Sequence, residues 1–145
     1  MRGLWLVLTA AMLPAMHCVE AGEVRRLACL ELYATDGDSV TCDGTNMRDM
    51  GDGAPNVSGY DTPETRQGRY KCDREFALGK AATARMIELR AAKGVYVIDS
   101  GEVDRFDRPL VWVKLADGSS IGSILIKEGH ARRWTPDYKA NWCGS

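Results

Sequence analysis

The sequence has little bulk charge to offer a partner. Its 19 Lys and Arg against 20 Asp and Glu leave a formal charge of −1. A hold on a polyanion must therefore come from a local patch or a bound cation, not from the whole surface. Histidine is scarce: beyond residue 21 only His130 remains, placed after a helix end as a surface residue would be. No CxxC pair exists, which argues against a four-cysteine zinc site. Repeats, low-complexity tracts and internal linkers are also missing. The apolar run "LWLVLTAAMLPAM" at 4–16 is too short to span a bilayer comfortably.

That run is flanked by Arg2 and by "VEA" at 19–21, the pattern of a secretory signal peptide cut near Ala21, with an N-terminal anchor as the rival. Losing Arg2 and Glu20 would leave the charge at −1. Residues 22–145 have the length of one domain. They carry an even set of cysteines, Cys29, Cys42, Cys72 and Cys143, as an exported chain with two disulfides would. Three pairings are open. Cys29 and Cys42 flank a turn and can face each other across a hairpin, which leaves Cys72 for Cys143.

Strands are expected over 27–34, 39–42 and 45–50, with hairpin turns at Asp36-Gly37 and Asp43-Gly44. The stretch "GDGAPNVSG" at 51–59 reads as a loop. Leu78, Ala82, Met86 and Leu89 form an apolar stripe that predicts one long helix over 73–92, with Gly94 beyond its end. Strands follow at 95–98 and 109–115, then a short helix within 119–129 and a polar, aromatic tail. A mainly β, α+β chain of five short strands, a long helix after the third and a short one after the fifth fits a small OB-fold barrel.

Two acidic stretches stand out, "DGDSVTCDG" at 36–44 and "YDTPET" at 60–65. Each has a bland explanation. Asp-Gly pairs make turns, and Thr62, Pro63 and Glu64 suit a helix start. An EF-hand loop is excluded, because Val40 stands where an oxygen ligand is needed. Taken together with "CDREFALGKAATARM", "DRFDRPLVWV" and "GSILIKEGHAR", their order resembles the staphylococcal nuclease (thermonuclease) family over residues 24–143.

That resemblance implies an OB-fold barrel cleaving DNA and RNA with calcium and leaving 3′-phosphate ends. By motif position it makes Asp38, Asp61 and the Thr62 carbonyl calcium ligands. Glu64 becomes the residue that orients or deprotonates water, and Arg108 a catalytic arginine. The family's first catalytic arginine stands five residues before the DTPE aspartate, where this chain has Asn56. Arg48, ten residues after Asp38, is the preferred counterpart, because "NMR" continues the Asp43-Gly44 hairpin whereas Pro55 and the glycines spoil a strand around Asn56.

Trp134, Tyr138 and Arg132 are weaker candidates for contacts to base and phosphate. Calcium and these residue types fit one chemistry: hard oxygen ligands for the ion, and a planar guanidinium for phosphoryl charge. The expectation is an exported monomer, periplasmic or secreted, free of the membrane after signal removal and without a stable protein partner. It would act on nucleic acid, preferably single-stranded. The alternative is a catalytically silent OB-type module that binds nucleic acid or protein.

Overall fold

The Asp43-Gly44 hairpin forms as expected. Both residues take positive φ, +48° and +84°, as a two-residue type I′ turn requires. The turn joins β3 (Ser39–Cys42) to β4 (Thr45–Asp49), with Cys42 opposite Thr45 and Ser39 opposite Arg48. The computed structural model describes residues 23–144; the expected signal segment 1–21 lies outside them.

The other elements are β1 (Arg25–Leu27), β2 (Leu32–Ala34), β5 (Gly59–Asp61), α1 (Asp73–Arg90), β6 (Tyr96–Val103), β7 (Pro109–Lys114), α2 (Ile121–Lys127) and β8 (Arg132–Trp134). Six strands make one mixed sheet in the order β1-β6-β7-β4-β3-β2, in which β4 and β7 run parallel. The two edge strands, β1 and β2, are consecutive in the chain and separated only by residues 28–31. So short a connection forces the sheet to curl until its edges approach. The architecture is an α+β, OB-like partial barrel.

The single strand expected over 27–34 is thus two strands on opposite edges. The break has a polar cause. The Asp43 carboxylate accepts from the backbone N–H groups of Leu30 (3.2 Å) and Glu31 (2.7 Å), so these amides leave the ladder. The Cys29–Cys42 disulfide fastens the same corner. Two short strands form where the sequence reads as loop and tail: β5 and β8 pair with each other in a separate two-stranded sheet, Asp61 opposite Arg132.

Inside the curl lie Val40, Met47, Val97, Val111 and Val113 from the sheet, Met86 and Leu89 from α1, and Ile121 and Leu125 from α2. Helix α1 starts at Cys72, whose Sγ accepts from the Glu75 N–H, and ends two residues earlier than expected. Its apolar stripe is corrected at one position. Leu78 is exposed, and Gly79 takes the buried place.

The reason is a close approach. A Cβ on Gly79 would stand 2.5 Å from the Pro63 carbonyl oxygen and 2.7 Å from the Thr65 methyl. Helix α1 therefore braces the "TPET" loop directly. Gly79→Ala should destabilise the fold by about 1–2 kcal/mol, because a clash with backbone puts the overpacking cost at about 2–3 kcal/mol, against a helix-propensity gain of about 1 kcal/mol. Urea unfolding measures it, and a stabilised variant would refute the close packing.

Candidate active-site cleft

Asp36, Gly37 and Asp38 form the turn between β2 and β3, and they lie against Thr62. A Cβ on Gly37 would meet the Thr62 side chain at 2.8 Å. Asp38 is buried, with Oδ2 accepting from Arg48 Nη1 (2.6 Å) and from the Thr62 N–H (3.3 Å). Its other oxygen accepts from Ser39 Oγ at 3.2 Å. Arg48 also donates from Nη2 to the Tyr60 carbonyl at 2.7 Å. One guanidinium thus joins the two acidic loops, which stand 24 residues apart in sequence.

A fully buried pair supports that junction from below. Tyr60 donates its hydroxyl to Asp49 Oδ2 at 2.9 Å, while Asp49 Oδ1 accepts from the N–H groups of Gly51 and Val113, both at 3.0 Å. Because strand neighbours point to opposite faces, Asp49 turns inward next to Arg48 in the cleft, and Tyr60 turns inward next to Asp61.

Glu64 is half-buried, and its Oε1 accepts from the N–H groups of Thr65 (2.9 Å) and Arg66 (2.8 Å), fixing the carboxylate at the loop's turn. Arg108 opens β7's approach and is clamped by Asp104, whose Oδ2 accepts from Nε at 2.8 Å and pairs with Nη2 at 2.7 Å. Its Nη1 lies 3.5 Å from Ser39 Oγ. Asp38, Arg48, Asp61, Thr62, Glu64 and Arg108 all line one cleft of about 700 Å³.

Asn56 is elsewhere. It sits in the 51–58 loop with φ +57°, donating to the Val103 carbonyl at 3.1 Å. With Trp134, Tyr138 and Phe106 it lines an adjoining hollow of about 450 Å³, which shares Arg48, Asp61 and Arg108 with the acidic cleft. Arg132 lines neither hollow. Its guanidinium stacks on Trp142 and donates to the Asn141 carbonyl.

Crowding of acids marks the cleft electrostatically. Burial, then the charge of Asp38, pushes Asp36 up to about 7 and Asp61 up to about 6. Burial alone would disfavour the Arg48 charge, yet Asp38, Asp61 and Asp36 around it raise its pKa. Among the described residues no group of three or more His, Cys, Asp or Glu side chains is arranged to hold a metal ion. The donor set nonetheless suits calcium: Asp38 in the β2–β3 turn and Asp61 at the end of β5 line the cleft with Thr62, and carboxylate and carbonyl oxygens are hard donors. Nitrogen or sulfur ligands for a softer metal do not stand among them.

Several residues of the site escaped the sequence. Asp104 was legible in retrospect as an acid four positions before Arg108, a spacing that closes a turn. Asp49, Tyr60 and Trp142 gave no signal, because their partners are distant in the chain.

The family model described as Staphylococcal nuclease homologue matches residues 56–142. Asp61, Thr62, Glu64 and Arg108 fall inside the match, and Asp38 and Arg48 precede it. Comparison with curated proteins found no match.

Proposed function

The chain belongs to the staphylococcal nuclease homologue family, and from that premise we propose that it is an exported, calcium-dependent nuclease hydrolysing phosphodiester bonds of DNA and RNA. One observation carries the proposal. Asp38 from the β2–β3 turn, Arg48 from β4, Asp61 and Glu64 from the end of β5 and the loop after it, and Arg108 just ahead of β7 line a single cleft.

Asp38, Asp61 and the Thr62 carbonyl would hold the calcium ion. When bound, the ion supplies positive charge that offsets the build-up on phosphate oxygens. The remaining work falls to the chain's own side chains. Glu64 has one oxygen tied to the Thr65 and Arg66 amides, which leaves Oε2 to take the proton of an attacking water. A bond forms from that water's oxygen to phosphorus while the bond to the 5′ oxygen breaks; the leaving oxygen takes a proton from solvent and Glu64 returns its own there, giving a 3′-phosphate and a 5′-hydroxyl.

Arg108, held edge-on by Asp104, keeps Nη1 clear of that clamp to donate to the phosphorane oxygens. Arg48 offers a second guanidinium once phosphate competes with Asp38 for it. Trp134, Tyr138 and the exposed Phe106 supply apolar faces for bases of a single strand. The two disulfides, Cys29–Cys42 and Cys72–Cys143, accord with an oxidising compartment outside the cytoplasm.

Purified protein incubated with denatured DNA and calcium should produce fragments with 3′-phosphate ends, and EGTA should stop the reaction. DNA retained without cleavage, in calcium, would instead establish the catalytically silent binding module and overturn the proposal.

A further inference from the structure

Residues 140–143 are fastened to the cleft. Trp142 is only 5% exposed, and its indole N–H donates to Asp61 Oδ2 at 3.2 Å. The Arg132 guanidinium covers its ring, 4.1 Å from Cζ to the centroid. Arg132 itself stands opposite Asp61 in the β5–β8 register and donates to the Asn141 carbonyl at 2.8 Å. Lys71 Nζ reaches the Ala140 carbonyl at 3.4 Å. The next residue after Trp142 is Cys143, bridged to Cys72 at the start of α1. Residues 135–144 form no strand or helix, so only specific contacts hold them in place. Here a disulfide, a stacked guanidinium and backbone acceptors all bear on four residues, and the cleft carboxylate they reach is Asp61.

A partly buried carboxylate at the end of a three-residue strand still has rotamers to lose before it can bind an ion. A donor fixed to one oxygen removes that freedom in advance. Outer-shell partners of this kind orient metal-ligating carboxylates and tune affinity. We propose that Trp142 is a positioning residue for Asp61, and that residues 140–143 are a strap, fastened by the Cys72–Cys143 bridge, which pre-orients this carboxylate for calcium. The proposal rests on the calcium role proposed for Asp61. A tryptophan serving only to fill space would need the ring and not the N–H, so the two roles separate experimentally.

The test follows the indole N–H resonance of Trp142 by NMR in the intact protein during calcium titration, with calorimetry in parallel. The resonance is assigned by its loss in Trp142→Phe. It should move saturably with the calcium Kd found by calorimetry. Trp142→Phe keeps a ring beneath Arg132 and removes the donor, so its calcium Kd should rise about tenfold. Cys72→Ser/Cys143→Ser keeps an oxygen cap on α1 and loosens the strap, and its Kd should rise in the same direction.

A Trp142 resonance that stays still while calorimetry registers calcium overturns the proposal. So does an unchanged Kd in either folded variant. Protein that binds no calcium by calorimetry overturns the metal role of Asp61, and the strap with it. The calorimetric blank distinguishes that outcome from failure of the strap alone.

Discussion

Glu64→Gln should lower the rate of phosphodiester hydrolysis by about 10²–10⁴-fold, the usual contribution of a positioned general base, and leave binding of denatured DNA intact. Glutamine has the shape of glutamate. Its carbonyl oxygen can still accept from the Thr65 and Arg66 amides, so the loop braced by Gly79 keeps its form. What disappears is the basic oxygen. Single-turnover cleavage in calcium reads the rate, and fluorescence anisotropy with labelled single strands reads the binding. A variant that cuts at the wild-type rate would remove Glu64 from the chemistry. One that neither binds nor cuts would show that the loop had collapsed, and would move the question to Glu64→Asp, which retains the charge.

The largest effect on stability belongs to Asp49→Ala. Asp49 is fully buried and accepts from three donors, the Gly51 and Val113 amides and the Tyr60 hydroxyl. Truncation leaves all three unsatisfied in the core. At about 1–3 kcal/mol for each orphaned group, the expected loss is about 3–9 kcal/mol, much of the stability of a small domain.

Asp49→Asn should be milder, because its carbonyl oxygen serves the amides and the Tyr60 hydroxyl can rotate to accept. It should also alter the pH profile. Burial raises the Asp49 carboxyl from 3.8 to about 6, so between those values the folded chain holds a proton that the unfolded chain has released. Stability from this group is complete below pH 3.8 and is lost as pH rises through about 6, on the order of 3 kcal/mol in all. Asp36 and Asp61 shift in the same direction, so the informative quantity is wild type minus Asp49→Asn. That difference, from urea unfolding in EGTA, should fall between pH 4 and 6. A flat difference would mean that Asp49 titrates normally.

Local chemistry explains which features were legible. Asp43-Gly44 dictated a hairpin because few other pairs accept two positive φ angles in succession. The α1 stripe followed from its period, apart from Leu78, since periodicity cannot foresee that a loop would press against the helix and demand glycine one position on. The break at 28–31 stayed hidden because its cause, the Asp43 carboxylate, lies in the β3–β4 turn, twelve and thirteen positions on from the amides it binds. Strands β5 and β8 stayed hidden because three residues are too few to display alternation, and their pairing joins segments more than 70 positions apart.

The sequence by itself determined the inventory: an acidic pair of loops, the arginines, four cysteines, one long helix, and a family resemblance carried by their order. Those are properties of residue type and spacing, and they survive without coordinates. Only the tertiary structure decided that Arg48 and not Asn56 faces the acids, that Asp104 holds Arg108, and that Arg132 serves the tail. Each of those outcomes depends on which side of a curled sheet a side chain meets. Sheet curvature arises from contacts among distant strands, whose energy no short window of sequence contains.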